Sequence, residues 1–164
     1  MSTRSTTHFT YNGRVEAIIY RHSDGYPSGA GSDLLGFLDE CAKLPDSRFS
    51  DPTYLAAKYV VFLADMFSQK FVSEPDGGYH YEPAENKLDF ISVGVCMSDP
   101  GDIEYRYVIE CGDRSAGHIR NGKSCPIVKC FRVSDKHGEK FREKPMSKWT
   151  LTEEEIPEPE AEIA

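Results

Sequence analysis

Residues Tyr20-Arg21-His22-Ser23-Asp24-Gly25-Tyr26-Pro27-Ser28-Gly29-Ala30-Gly31-Ser32 gather an arginine, a histidine, an aspartate and three serines around a glycine-rich turn. Those residue types at that spacing suit anion binding. Ser28-Gly29-Ala30-Gly31-Ser32 runs straight into a segment with helical periodicity, where free N–H groups and the positive end of the dipole favour phosphate or carboxylate. Arg21 and His22 lie just upstream to supply charge and a hydrogen bond, and Tyr26 is placed to stack on a base. In this reading the amides from Gly29 to Asp33 complete the cradle, and removing Arg21 abolishes binding without moving the melting temperature. The pattern is neither a P-loop, lacking Gly-Lys-Ser/Thr, nor a dinucleotide fingerprint, lacking its third glycine. The plain alternative is a tight connection that needs glycine for its backbone angles.

A second basic group lies far along the chain. Arg114, His118, Arg120 and Lys123 sit in the glycine-punctuated loop from Gly112 to Ser124, with the composition to close over a phosphorylated ligand. Acid–base or metal chemistry has a different signature. His22 with Asp24, and His80 with Glu82, would each share a face of extended backbone, offering two imidazoles and two carboxylates. Against this stand an Asx-turn for Asp24 and a solvated strand face for His80. Ser23 has no nucleophile elbow around it, and no cysteine carries a catalytic signature. The bases between Lys129 and Lys148 are interleaved with acids, so nucleic acid is not expected as a partner.

Stepping along the elements that must hold these groups, Asn12-Gly13 between two strand-like runs predicts an antiparallel hairpin. Ser32 or Asp33 is expected to cap a helix through Leu34, Leu38 and Cys41, ending before Pro45. Asp51-Pro52 opens a second helix, apolar on most sides to Phe67. Strands follow at Tyr79 to Glu82, Leu88 to Met97, Glu104 to Cys111 and Pro126 to Val133. The expected fold is α+β: an antiparallel sheet, made of the N-terminal hairpin and a C-terminal meander, packed on two helices. One domain is expected over residues 1–142, with 143–164 as a disordered acidic tail.

The charge pattern fits that division. Of a net −8, six charges belong to Glu153, Glu154, Glu155, Glu158, Glu160 and Glu162, which leaves −2 for residues 1–152. Five cysteines show no C-x-x-C pair and no zinc spacing, so neither metal nor cofactor is expected. No run approaches a membrane span and no segment has the order of a signal peptide, which points to a soluble protein of a reducing cytoplasm.

The string Tyr20-Arg21-His22-Ser23-Asp24-Gly25-Tyr26-Pro27 resembles a box in small uncharacterised proteins of bacteria and their phages. That resemblance implies a prokaryotic or phage origin, where small accessory proteins act by binding. It brings no established activity and assigns no roles.

The leading expectation is a binding protein for a nucleotide-like or phosphorylated ligand, contacted by Arg21, His22, Tyr26, Ser28, Gly29, Gly31, Ser32, Arg114, His118, Arg120 and Lys123. Two others compete with it. One is a protein-interaction module or inhibitor of a host protein, working through its acidic tail or an exposed sheet edge, and self-association is open in either case. The other is a small hydrolase or transferase using His22 and Asp24.

Overall fold

Asn12 and Gly13 both take positive φ, 49° and 89°, and close the hairpin between β1 (Ser5–Tyr11) and β2 (Arg14–Arg21). The computed structural model describes residues 2–111, 119–120, 123–124, 126–134 and 142–150, with side chains over 2–111 and 126–133. After β2 a single π-helical turn, Pro27–Gly31, leads directly into α1 (Ser32–Ala42). In α2 (Pro52–Met66) the Asp51 side chain accepts from the Tyr54 N–H, and Pro52 opens the first turn.

Then come β3 (Gln69–Ser73), β4 (Tyr79–Pro83), β5 (Val93–Cys96), β6 (Tyr105–Cys111), β7 (Ile119–Arg120), β8 (Lys123–Ser124), β9 (Ile127–Ser134) and β10 (Arg142–Thr150). The main sheet has the order β10-β9-β6-β1-β2-β5, while β3-β4 and β7-β8 are separate two-stranded pairs. The fold is α+β, and the sheet is mixed rather than antiparallel. β6 runs parallel to β1, with Thr6 opposite Arg106 and Phe9 opposite Ile109. The reason is topological. One side of β1 is taken by β2, so the chain leaves β5 and crosses the sheet to reach the other side of β1. A meander would have kept successive strands adjacent.

Strand alternation divides the sheet into two faces. Phe9, Ile19, Tyr107, Ile109, Val128 and Cys130 form a core with Leu34, Leu38, Leu55, Tyr59 and Leu63 of the helices. Burying each such Leu, Ile or Phe contributes roughly 1.5–3 kcal/mol, which makes the helix-bearing face the main source of stability. The opposite face carries Thr6, His8, Tyr20 and Arg106 and is crossed by the segment from Met97 to Glu104. No helix among the described residues is long and apolar enough to cross a membrane.

Three strand expectations change. The strand expected over Leu88 to Met97 shrinks to Val93–Cys96, because Ser92 turns to φ 67° and the Asp89 N–H closes a turn on the Asn86 carbonyl. β3 was hidden behind the apolar run of α2 and appears only through its pairing with β4. β10 pairs antiparallel with β9 over Arg142–Thr150, so regular structure extends past the expected boundary at residue 142. Residues 151–164, the rest of the expected tail, lie outside the described part.

Candidate functional site

The Tyr20 to Ser32 stretch is held by Arg21, which is only 4% exposed. Its Nη1 donates to Asp33 Oδ2 at 2.6 Å and its Nε donates to the Ser23 carbonyl at 2.7 Å. The guanidinium also lies 4.9 Å from the centre of the Phe67 ring. Its charge is met by Asp33 and its plane is covered. An incoming anion would have to displace that carboxylate; in this structure Arg21 ties the end of β2 to the first turn of α1.

The expected cradle of amides changes in the same way. The Gly29 N–H donates to the Tyr26 carbonyl at 2.9 Å and the Ala30 N–H to the Asp24 carbonyl at 2.8 Å. The Ser32 N–H turns back to the Pro27 and Gly29 carbonyls. The π-helical turn thus consumes donors that a bare helix start would leave free. Neither Ser32 nor Asp33 caps α1 through its side chain; Asp33 already places a carboxylate in the first turn, where the dipole favours one. Ser28 and Ser32 are exposed, and Gly31 is buried. Tyr26 is partly exposed, and its hydroxyl donates to Asp24 Oδ1 at 3.1 Å. That hydrogen bond, then the Asp24 charge, raises the phenol above its ordinary value.

The glycines explain why the stretch is so conformationally particular. The Gly25 N–H donates to the Thr3 carbonyl at 2.8 Å, while its own carbonyl accepts from the buried Tyr107 hydroxyl at 2.8 Å. There is no room for a side chain there.

His22 and Asp24 have different hydrogen-bond partners. Asp24 sits at φ 54°, which breaks the extended backbone that would have aligned them. His22 Nδ1 accepts from the Tyr20 hydroxyl at 2.8 Å and from Arg4 Nε at 3.3 Å. A neutral His22 therefore carries its proton on Nε2. Burial, then the Asp102 charge, raises the Tyr20 phenol. Ser23 Oγ lies 3.3 Å from Ser92 Oγ, with no imidazole bonded to it.

His80 and Glu82 do share a face of β4: His80 Nε2 is 2.9 Å from Glu82 Oε1, and Nδ1 is 2.7 Å from Glu74 Oε1. Both bonds favour the imidazolium and raise the His80 value, the Glu82 bond most. No group of three or more His, Cys, Asp or Glu is arranged to hold a metal among the described residues. Arg120 and Lys123 are register partners in the β7–β8 pair; Arg114 and His118 lie outside the described residues.

In comparisons with known proteins, no family model, no curated protein and no solved structure matches this chain. The reading of function therefore rests on the molecule itself.

Two clusters carry signals that the sequence reading passed over. The first lies on the helix-free face of the sheet. Asp99 Oδ1 accepts from Thr6 Oγ1 at 2.6 Å and from His8 Nε2 at 2.7 Å, while Oδ2 accepts from Arg106 Nε at 2.6 Å and from its Nη2. Burial opposes ionisation of Asp99, but the His8, Thr6 and Arg106 contacts outweigh it and hold the carboxyl at about 2. This aspartate pins the crossing segment to the sheet. Because its folded value lies below the ordinary 3.8, its contribution is complete above that pH and is lost as pH falls through about 2. The expected size is about 2 kcal/mol. Stability measured by denaturant between pH 5 and pH 2 should show this loss, and Asp99→Asn should flatten that part of the profile.

The second cluster is aromatic. Phe71 and Tyr81 are opposite each other in the β3–β4 register, and Tyr79 lies diagonally on the same face. Their ring centres are 5.0 Å apart for Phe71–Tyr79, 5.9 Å for Tyr79–Tyr81 and 6.1 Å for Phe71–Tyr81. Yet they stay 57%, 62% and 49% exposed. The alternation Tyr79-His80-Tyr81 was visible in the sequence; the missing signal was β3, which brings Phe71 across to it.

Proposed function

We propose that this chain is a binding protein whose ligand is another protein, docked on the aromatic face of the β3–β4 hairpin. The observation that carries the reading is the exposed trio of Phe71, Tyr79 and Tyr81. Soluble domains seldom leave clustered aromatics in water unless a partner covers them. Tyrosine and phenylalanine are also the side chains that interfaces enrich and use as anchors. The rings hold one another in place, so little side-chain entropy remains to be lost on docking.

Charge narrows the partner. Along residues 69–89 the acids Glu74, Asp76, Glu82, Glu85 and Asp89 outnumber Lys70 and Lys87, with Lys70, His80 and Glu82 on the face opposite the rings and paired with one another. The matching surface is an apolar centre rimmed by lysine or arginine. The test is a peptide-display selection on the immobilised full chain, repeated on the triple variant Phe71→Ser, Tyr79→Ser, Tyr81→Ser. Basic peptides with apolar centres should be enriched on the wild type and lose at least about 100-fold in affinity on the variant. The variant should melt within a few degrees of the wild type, since the rings touch mainly one another. Equal binding to both proteins would refute the hairpin as the site.

An anionic small ligand is the second reading, and one observation favours it. The β7–β8 register sets Arg120 opposite Lys123, two bases at one position of the ladder in the segment that the sequence marked as basic. Native mass spectrometry of the gently purified chain separates the readings: a phosphate-bearing adduct removed by Lys123→Glu supports this one.

A further inference from the structure

We infer that the acidic run from Glu153 to Glu162 folds back over the β9–β10 edge of the same chain, a built-in cover on a basic strand pair. The proposal stands apart from the hairpin reading. β10 is the last strand of the main sheet, and no described strand pairs with its outer side.

Charge chooses the surface. β9 and β10 carry Lys129, Arg132, Arg142, Lys144 and Lys148 against a single acid, Glu143. The register gathers these bases, setting Lys144 opposite Arg132 and Lys148 opposite Lys129. Lys129 Nζ meets Glu110 Oε1 of β6 at 2.6 Å; with that acid counted, five bases still stand against two acids. Many bases elsewhere are already matched one to one. Arg14 meets Glu16, Arg21 meets Asp33, Lys43 meets Glu40, Arg48 meets Asp46, Lys70 meets Glu82 and Arg106 meets Asp99.

The occupant follows from sign, tether and length. Residues 151–164 hold six Glu and no base. Glu153 comes only three positions after Thr150, where β10 ends, so the run meets this edge at an effective concentration on the order of millimolar. Residues 153–162 span about 33–36 Å when extended, and Ile156 and Glu158, each before a proline, favour extended backbone. The nine residues of β10 rise about 30 Å, so a return at Leu151-Thr152 lays the glutamates along the whole strand. Pro145 and the register shift between Pro145 and Ser147 disfavour a further ladder on this edge. The contact is therefore one of charge, screened by salt, and an anionic partner would have to displace it.

The experiment is zero-length carbodiimide cross-linking of the full chain, as an equal mixture of isotopically light and heavy protein, mapped by mass spectrometry. The Lys129–Glu110 pair should link in every sample, which reports that β6 and β9 are in place. At low salt the glutamates of residues 153–162 should link to Lys144 and Lys148, light to light and heavy to heavy. Raising salt from about 0.01 M to about 1 M shortens the screening length from about 30 Å to about 3 Å and should cut these links at least about fivefold. The variant Arg142→Glu, Lys144→Glu leaves the Lys148 amine in place, and its links to the glutamates should fall at least about threefold. If that variant loses the Lys129–Glu110 link, the salt series on the wild type decides. Four results would each overturn the proposal: no such links at this edge, links spread equally over Lys43, Lys58, Lys70 and Lys87, links joining light copies to heavy ones, or links indifferent to salt.

Discussion

Replacing Arg21 with alanine should cost about 3 kcal/mol of stability, the low end of the range for breaking a buried ion pair. For a chain of 164 residues that is a fall in Tm on the order of 10 °C. The loss has three parts. Asp33 forfeits its partner at 2.6 Å, the Ser23 carbonyl forfeits a donor at 2.7 Å, and Phe67 loses the guanidinium over its ring. Asp33 keeps 28% of its side-chain exposure, so water partly compensates it and the upper end of the range is not reached. Arg21→Lys should recover only part of the loss, because one ammonium cannot reproduce the planar fork that reaches both oxygens. Thermal unfolding of the two variants checks this. A melting temperature unmoved by Arg21→Ala would return Arg21 to the role of a ligand contact.

The second large effect should come from Gly25→Ala. A Cβ there would stand 2.8 Å from the Thr3 carbonyl oxygen, 2.9 Å from the Arg4 carbonyl carbon and 2.9 Å from Ser5 Cβ. The first two are backbone atoms of the segment leading into β1, and they cannot swing aside as a flexible side chain would. The strand entry must move, and the Gly25–Thr3 and Tyr107–Gly25 hydrogen bonds move with it. The expected cost is about 3 kcal/mol, at the upper end for overpacking. Tyr107→Phe removes the hydroxyl that donates to the Gly25 carbonyl and also meets the Cys130 thiol, and should cost about 1–2 kcal/mol. Chemical denaturation of both variants should rank them in that order; Gly25→Ala at wild-type stability would mean that the approach of β1 to this turn is loose.

These two residues show what was legible in the sequence. The Asn12-Gly13 hairpin, the Asp51-Pro52 helix start and the α+β class follow from local chemistry, and the molecule has them. The mixed sheet does not, because β1 and β6 are far apart in the chain: Thr6 comes to stand opposite Arg106 only once the Met97 to Glu104 segment has crossed the sheet. The densest run of polar residues drew attention as a binding site, yet its arginine is spent on Asp33 and its amides on a π-helical turn. Sequence alone does not separate a clamp from a ligand contact, since both need arginine, glycine and a helix start. Exposure separates them. Arg21 is buried, while Phe71, in an unremarked pentapeptide, is in water.

The most direct test of the account is a hydroxyl-radical footprint of the full chain with and without the tightest basic peptide from the display selection. The account predicts protection at Phe71, Tyr79 and Tyr81, with Tyr26 equally reactive in both states. Protection of Tyr26, with the hairpin rings still reactive, would contradict it and put the binding site back at the glycine-rich turn.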